Sequence, residues 1–150
     1  MVSEMTQKEC HAILAANTIG RLACLRGGTP YVVPTSYVYE DRHIYSFSLV
    51  GLKIRAMRSD PQACFEVDEI KSPRNWWSVL AFGTYEELTE SDQWRNEREH
   101  AWALLQKARP NWWSPGGEKP ARLLAEQPVP PHLFFRINVE RVSGRRGSNE

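Results

Sequence analysis

The chain reads as an α+β protein, mostly β: an antiparallel β-barrel of about six strands with flanking helices at its ends or sides. Three observations predict it. Short segments of alternating apolar and polar residues recur along the chain, the two-residue period of half-buried strands. Most are separated by turn sequences, such as Gly27-Gly28-Thr29-Pro30 and Asp41-Arg42, rather than by helices. A single short helix stands between strands, which does not match the regular strand–helix alternation of a parallel sheet.

The elements follow in order. Thr6-Gln7-Lys8-Glu9 is a capping-box pattern, and Cys10, Ile13 and Leu14 give one apolar face, so a first helix runs to Asn17. Residues 20–26 form a strand, residues 31–40 the next, and residues 43–48 a third. A short helix follows over 51–59, with Leu52, Arg55, Ala56 and Ser59 on one stripe. Asp60-Pro61 stops it, because a residue before proline avoids the helical region. Residues 62–69 alternate, with Ala63, Phe65 and Val67 on one face and Cys64, Glu66 and Asp68 on the other. Residues 71–75 are a loop, and residues 76–87 a long strand with bulk on both faces. Thr89 with Asp92 offers a second cap for a helix striped by Trp94, Ala101, Trp102, Leu105 and Ala108, which Pro110 ends. Residues 109–131, rich in Pro and Gly, form an extended excursion, and residues 132–142 are the last strand.

The 150 residues fit one domain, residues 1–150, with 1–5 and 147–150 as flexible ends. Hydrophobic residues make up 41%, including 6 Trp, so a core is available, with aromatics to spare for a ring-shaped ligand or a subunit interface. The net charge is +1, from 19 basic and 18 acidic residues, and no basic face emerges, so no nucleic-acid partner is expected. Arg141, Arg145 and Arg146 read as a solvated end. Cys10, Cys24 and Cys64 are odd in number and widely spaced, with neither metal-ligand nor disulfide pattern. The first residues show no signal core, and no apolar run reaches the roughly 18 residues of a membrane span. A cytoplasmic location, with no membrane partner, is expected.

The chemistry concentrates in residues 44–58. An alternating run ends in the hydroxyls of Ser46 and Ser48, then Gly51, then Lys53 opening a helix. A helix start offers unpaired N–H groups and the positive end of the peptide dipole, so the point suits a phosphate. Upstream, residues 30–39 could hold a flat ring, and the two segments together read as a flavin mononucleotide (FMN) site. Other readings of the same residues stand beside it. Lys53 is also a plausible solvent-facing lysine, Ser46 and Ser48 the wet face of a strand, and Pro34 a plain barrel corner. The stretch is not a nucleotide-triphosphate loop, because Ile54 stands where Ser or Thr is required. His11, His43, His100 and His132 are scattered without metal spacing, and no catalytic triad or dyad emerges. That suits a protein whose cofactor carries the chemistry.

In order, Gly20-Arg21-Leu22-Ala23, Pro30-Tyr31-Val32-Val33-Pro34, Ile44-Tyr45-Ser46, Gly51-Leu52-Lys53, and Asp60-Pro61 through Asp68 resemble one known family. Ser78-Val79 with Gly83, Trp112-Trp113-Ser114-Pro115, and Phe135-Arg136-Ile137 through Ser143-Gly144 complete the set. The chain resembles, over residues 6–146, the pyridoxamine 5'-phosphate oxidase-like FMN-binding split β-barrels. The nearer branch is the small flavin-nucleotide-binding proteins that include nitroimidazole-resistance proteins. The resemblance implies that the barrel is a split antiparallel β-barrel of Greek-key type, and that it forms a homodimer with two FMN molecules at the subunit interface. Val33, Pro34, Thr35 and Ser36 would line the ring. Tyr45, Ser46 and Lys53, with Gly51 as the turn, would hold the ribityl phosphate, and Ser78 would reach the flavin from the neighbouring strand or across the dimer.

The resemblance stops short of two activities. Phe47 stands where nitroimidazole-resistance relatives often carry histidine. The arginines and the terminal Arg-x-His pattern of the B6 oxidases are missing. The expected function is therefore an FMN-dependent oxidoreductase acting on an unidentified small molecule, with NADH or NADPH as candidate donor. The alternatives are a non-catalytic flavin carrier or sensor, or haem or deazaflavin binding on the same barrel. Whether Trp76, Trp77, Trp112 and Trp113 cover the flavin or fill the dimer interface stays open at this level.

Overall fold

Antiparallel pairing joins every strand of the computed structural model, which describes residues 1–121 and 132–148, into one sheet. Among the described residues the order is β1 (Val2–Glu4), α1 (Gln7–Ala16), β2 (Ile19–Arg26), β3 (Thr29–Ser36), β4 (Val38–Glu40) and β5 (His43–Leu49). Then come α2 (Leu52–Ser59), β6 (Gln62–Ser72), β7 (Asn75–Leu88), α3 (Arg95–Ala108) and β8 (His132–Gly147). Short 3-10 turns at Asp92–Trp94 and Arg109–Asn111 flank α3. No helix among the described residues is long and apolar enough to cross a membrane.

The sheet runs β3-β2-β6-β7-β8-β5-β4, with β1 added on β8. Its two end strands, β3 and β4, are consecutive in the chain and separated only by Tyr37. A flat sheet would hold its edges many strand widths apart, so this one curls until they meet at that residue. The ladder does not close, and the result is a split barrel. Tyr37 is buried at the seam, edge-on to Phe65 at 4.8 Å, and its hydroxyl donates to Leu14 O at 2.7 Å.

Alternation decides the inside. Leu22, Phe65, Val67, Val79, Ala81, Ile137 and Val142 point inward, where Cys10 and Leu14 of α1 and Ile54 and Met57 of α2 join them. A second, smaller core forms on the other side of β5 and β8, where α3 brings Ala101 and Leu105 against Tyr45, Phe47 and Phe134. At the turns, Gly27 and Gly28 take φ of 58° and 82°, and Asp41 and Arg42 take 49° and 61°. These left-handed values match the two-residue turns that suit the strand twist.

Several expectations need correction. The strand expected over 31–40 breaks at Tyr37, because the chain passes there from one sheet edge to the other. Residues 71–75 are a tight turn rather than a loop, since β6 and β7 pair as far as Ser72 and Asn75. The last strand runs on to Gly147, five residues beyond its expected end. Residues 2–4, expected in a flexible end, form β1 on the last turn of β8, and Met5 is buried. Arg146, expected in a solvated end, pairs with Glu9, and Arg141 lies 4.1 Å over the Phe82 ring. Thr89 does not cap the third helix; its hydroxyl meets Ser91 Oγ at 2.9 Å. On α2 the stripe is rotated: Leu52 is 43% exposed, while Ile54 and Met57 are buried. The expected stripe carried Arg55 and Ser59, and the Ile54–Met57 pair buries more apolar surface. The expected excursion over 109–131 is described only as far as residue 121, and residues 149–150 also lie outside the described residues.

Candidate functional site

The end of β3, the end of β5, the start of α2 and the segment 112–118 enclose a cavity of about 150 Å³. Four serines and threonines enter from neighbouring strands. Alternation puts Ser46 and Ser48 on one side of β5, and the β3–β4 crossing brings Thr35 and Ser36 beside them. All four are buried. Their hydroxyls are largely used within the protein. Ser36 Oγ donates to Trp113 O at 2.7 Å and accepts from Trp113 N–H at 3.0 Å, clipping the 112–118 segment to β3. Ser46 Oγ donates to Ser36 O at 2.8 Å, and Ser48 Oγ to Leu49 O at 2.8 Å. The serines therefore shape the wall.

Positive potential comes from α2. Gly51 is its N-cap and offers no side chain to the first-turn N–H groups. One residue into the helix, Lys53 lines the same cavity, half-buried. Burial holds its ammonium below the usual lysine range, with Cys24 and Glu118 pulling the other way. Among the described residues it makes no hydrogen bond or ion pair. A partly desolvated cation in no direct ion pair among the described residues, beside unpaired helix N–H groups, is an arrangement that an anion relieves.

The 112–118 segment forms the remaining wall with Trp112, Trp113, Ser114, Pro115, Gly116 and Glu118. Trp112 is buried in the second core, and its Nε1–H lacks a partner among the described residues. Lys119 Nζ donates to Trp112 O at 2.8 Å. Ser114 Oγ lies 2.8 Å from both the carbonyl oxygen and Oε2 of Glu118, and this hydrogen bond holds the Glu118 carboxyl below its usual range.

Of the residues singled out in the sequence, Pro34, Thr35, Ser36, Ser46, Ser48, Gly51 and Lys53 meet at this cavity. Three do not. Val33 packs on the main core, away from the cavity lining. Tyr45 points into the second core, its hydroxyl 3.5 Å from Arg136 Nη1. Ser78 faces the outside of the sheet, in a separate pocket of about 500 Å³ with Gln7, Leu80, Ser143 and Arg145. Gly116 and Glu118 are the residues sequence reasoning missed. They reach the cavity through the Ser36–Trp113 clip, which spans 77 positions and leaves no periodic signal.

Ligand pockets of small molecules usually measure about 300–1,000 Å³. This cavity, at about 150 Å³, matches a phosphate and a short polar chain and is too small for a tricyclic ring as well. Pro34, an exposed residue of the lining, also belongs to the outer face of the sheet: it pairs with Arg21, and Arg21 with Glu66. Among the described residues no group of His, Cys, Asp and Glu could hold a metal ion.

A family model described as pyridoxamine 5'-phosphate oxidase matches residues 6–146. An uncharacterized protein of Rhizobium meliloti (strain 1021) is 40% identical over 144 residues, 96% of this chain and 94% of that one. The crystal structure of an FAD-binding protein from Mesorhizobium loti is 42% identical, covers 99% of both chains and superposes with a TM-score of 0.77. A haem-binding protein from Mycobacterium smegmatis, 17% identical, shares the fold with a TM-score of 0.67 over 96% of this chain and 55% of its own.

Proposed function

Since the chain belongs to the pyridoxamine 5'-phosphate oxidase family, we propose that it is a flavoprotein binding FMN and acting as an oxidoreductase on a small molecule. One observation carries the reading: Lys53, half-buried and in no direct ion pair among the described residues, stands with the open first turn of α2 in a cavity of phosphate-tail size. The phosphate of FMN would bring about −1.5 to −2 charges to that ammonium. The Mesorhizobium loti relative, described as FAD-binding, supports a flavin in particular. Bound flavin would supply the electron transfer, and the chain would supply the anchor, the orientation and the shelter from water.

The ring would lie outside the cavity, over Pro34 and the outer face of the sheet. A single chain leaves it uncovered there. A second copy would complete the site, and its Ser78 and Arg145, which share the outer pocket, are the groups available to reach across. We read the molecule accordingly as a homodimer. Three cysteines, none in a disulfide, suit a reducing cytoplasm.

Purified protein is expected to carry a flavin absorption spectrum, released on denaturation; a haem Soret band in its place overturns the assignment. Lys53→Ala should weaken FMN binding by about 1.5–3 kcal/mol, the range for a hydrogen bond to a charged group. Unchanged affinity would remove the phosphate assignment. The reading as a carrier or sensor draws on a separate observation: the hydroxyl protons of Ser36, Ser46 and Ser48 are committed to carbonyls, so few groups in the wall are free to move a proton. Stopped-flow mixing of the flavin-loaded protein with NADH or NADPH separates the two, since a carrier shows no bleaching of the flavin band.

A further inference from the structure

A carboxylate stands in the wall of a cavity suited to an anion. Glu118 lines it, and its charge reaches Lys53, although the two form no direct ion pair. The turn around it sets the carboxylate in place. Ser114 Oγ lies 2.8 Å from Oε2, and Oε1 rests on Gly116, in the space that a Cβ there would fill. Hydrogen bonds from Ser114 and from the backbone at Glu118 and Gly116 hold the carboxyl below its usual range, so it is ionised at neutral pH. By formal charge Lys53 and Glu118 cancel. A bare phosphate dianion would therefore meet one attraction and one repulsion, unless a hydrogen-bond donor stood between it and the carboxylate.

The hydroxyls of the wall need donors as well. Each spends its proton inside the protein: Thr35 on Val33 O, Ser36 on Trp113 O, Ser46 on Ser36 O, Ser48 on Leu49 O and Ser114 on Glu118. Their oxygens keep lone pairs and can only accept. The cavity thus has a donor end, made of Lys53 and the first turn of α2, and an acceptor side, made of Glu118 and these oxygens. A ligand that matches both carries an anion at one end and a row of hydroxyls beside it.

We propose that Glu118 selects a phosphorylated polyol: the phosphate sits at Lys53, and the Glu118 carboxylate accepts hydrogens from the hydroxyls of the adjoining chain. This rests on the flavin-phosphate reading above and extends it to the ribityl chain that joins phosphate to ring. Hydrogen bonds to an ionised acceptor are about twice as strong as neutral ones, so the carboxylate sets the preference rather than the serines. A site built this way rejects a ligand of equal length that lacks the hydroxyls, because its acceptors are then left unpaired.

The test is displacement of FMN from the whole chain by two phosphate monoesters of one length, ribitol 5-phosphate and n-pentyl phosphate. Wild type is expected to bind the ribitol ester about ten-fold tighter or more, the factor for a hydrogen bond to a charged group. Glu118→Ala should bring the ratio close to one, weakening the ribitol ester and tightening the pentyl ester. Glu118→Gln can keep the Ser114 hydrogen bond and a neutral acceptor, and should retain a ratio of a few-fold. Lys53→Ala should weaken both esters alike. Equal affinities in wild type, or a ratio that survives in both Glu118 variants, overturns the selection by Glu118 and leaves the phosphate anchor standing. An equal tightening of both esters in Glu118→Ala also overturns it, because the carboxylate would then only repel anions. Wild type that binds FMN but neither ester, or no FMN at all, overturns the anchor and the selection together.

Discussion

At the scale of single residues, the tightest geometry lies on β7. Gly83 sits opposite Val139 where the β7–β8 register slips, leaving Glu140 as the extra residue of a bulge. A Cβ there would fall within bonding range of the Asn138 carbonyl, which belongs to the backbone and cannot swing aside. Gly83→Ala should therefore destabilise the fold by about 1–3 kcal/mol or more, the cost of forcing atoms into a filled interior. Urea unfolding reads this directly: an unchanged midpoint would mean that the bulge yields. The bulge also matters beyond its own strand, because Val139 N–H donates to Arg42 O at 2.9 Å and so ties β8 to the β4–β5 turn. Glycine at position 83 was visible in the sequence, but its reason was not. The crowding comes from a strand more than fifty residues away, and no local pattern announces it.

Elements dock through a few polar links as well as through their apolar faces. Helix α1 meets the β4–β5 hairpin through His11, whose Nδ1 lies 2.5 Å from Tyr39 Oη and whose Nε2 lies 3.3 Å from Arg42 Nη1. A guanidinium only donates, so Nε2 must accept and the ring proton sits on Nδ1, pointing to the tyrosine oxygen. This arrangement needs a neutral imidazole, and burial, reinforced by Arg42, holds His11 below the usual histidine range. In the unfolded chain the imidazole titrates near 6.5. Between that value and the lower folded one, the unfolded state binds more protons, so stability is lost as the pH falls through the window. The difference in unfolding free energy between wild type and His11→Gln should shrink from pH 7.5 to pH 5.5; a constant difference would show that folding leaves the imidazole titrating as it does in the unfolded chain. What was legible at this scale was local. The Thr6–Glu9 capping box forms with both of its hydrogen bonds, and Ala63, Phe65 and Val67 all point inward as their alternation predicts. What was not legible depends on distant partners: β1 is too short to read as a strand until β8 pairs with it, and α2 turns by about a third of a circle to bury Met57. In the cavity, Lys53 and Gly51 were visible as a local motif. Val33 and Tyr45 lie away from it, in the two cores, because resemblance located their strands but not which side each residue takes.

On the scale of the whole molecule, the sheet has one side that the described helices leave largely bare. Directly opposed residues project to the same face, so the registers trace rows across five strands. One row holds Val32, Ala23, Cys64, Phe82 and Arg141, and the next holds Pro34, Arg21, Glu66, Leu80 and Ser143. The helices pack elsewhere, α1 and α2 into the main core and α3 onto β5 and β8. Val32 is 58% exposed in the middle of edge strand β3, although an apolar unpaired edge invites association. The charges are mixed in a way that suits a two-fold axis. Glu66 and Asp68 share the face with Arg21, Arg141 and Arg145, so turning one copy over can set acids against bases. Burial and the neighbouring Asp68 already push the Glu66 carboxyl up to about 7, so this surface is partly desolvated in a single chain. If this face joins two copies, an acidic side chain at its apolar edge should separate them without disturbing either barrel, since position 32 touches little in the single chain. Val32→Glu is expected to sediment at half the mass of wild type with an unchanged far-ultraviolet spectrum. Because the cavity holds only the flavin tail, the variant should also lose flavin affinity although its phosphate anchor is intact. A wild-type chain that sediments singly, or a separated variant that binds flavin as tightly as wild type, would mean that one protomer completes the site by itself.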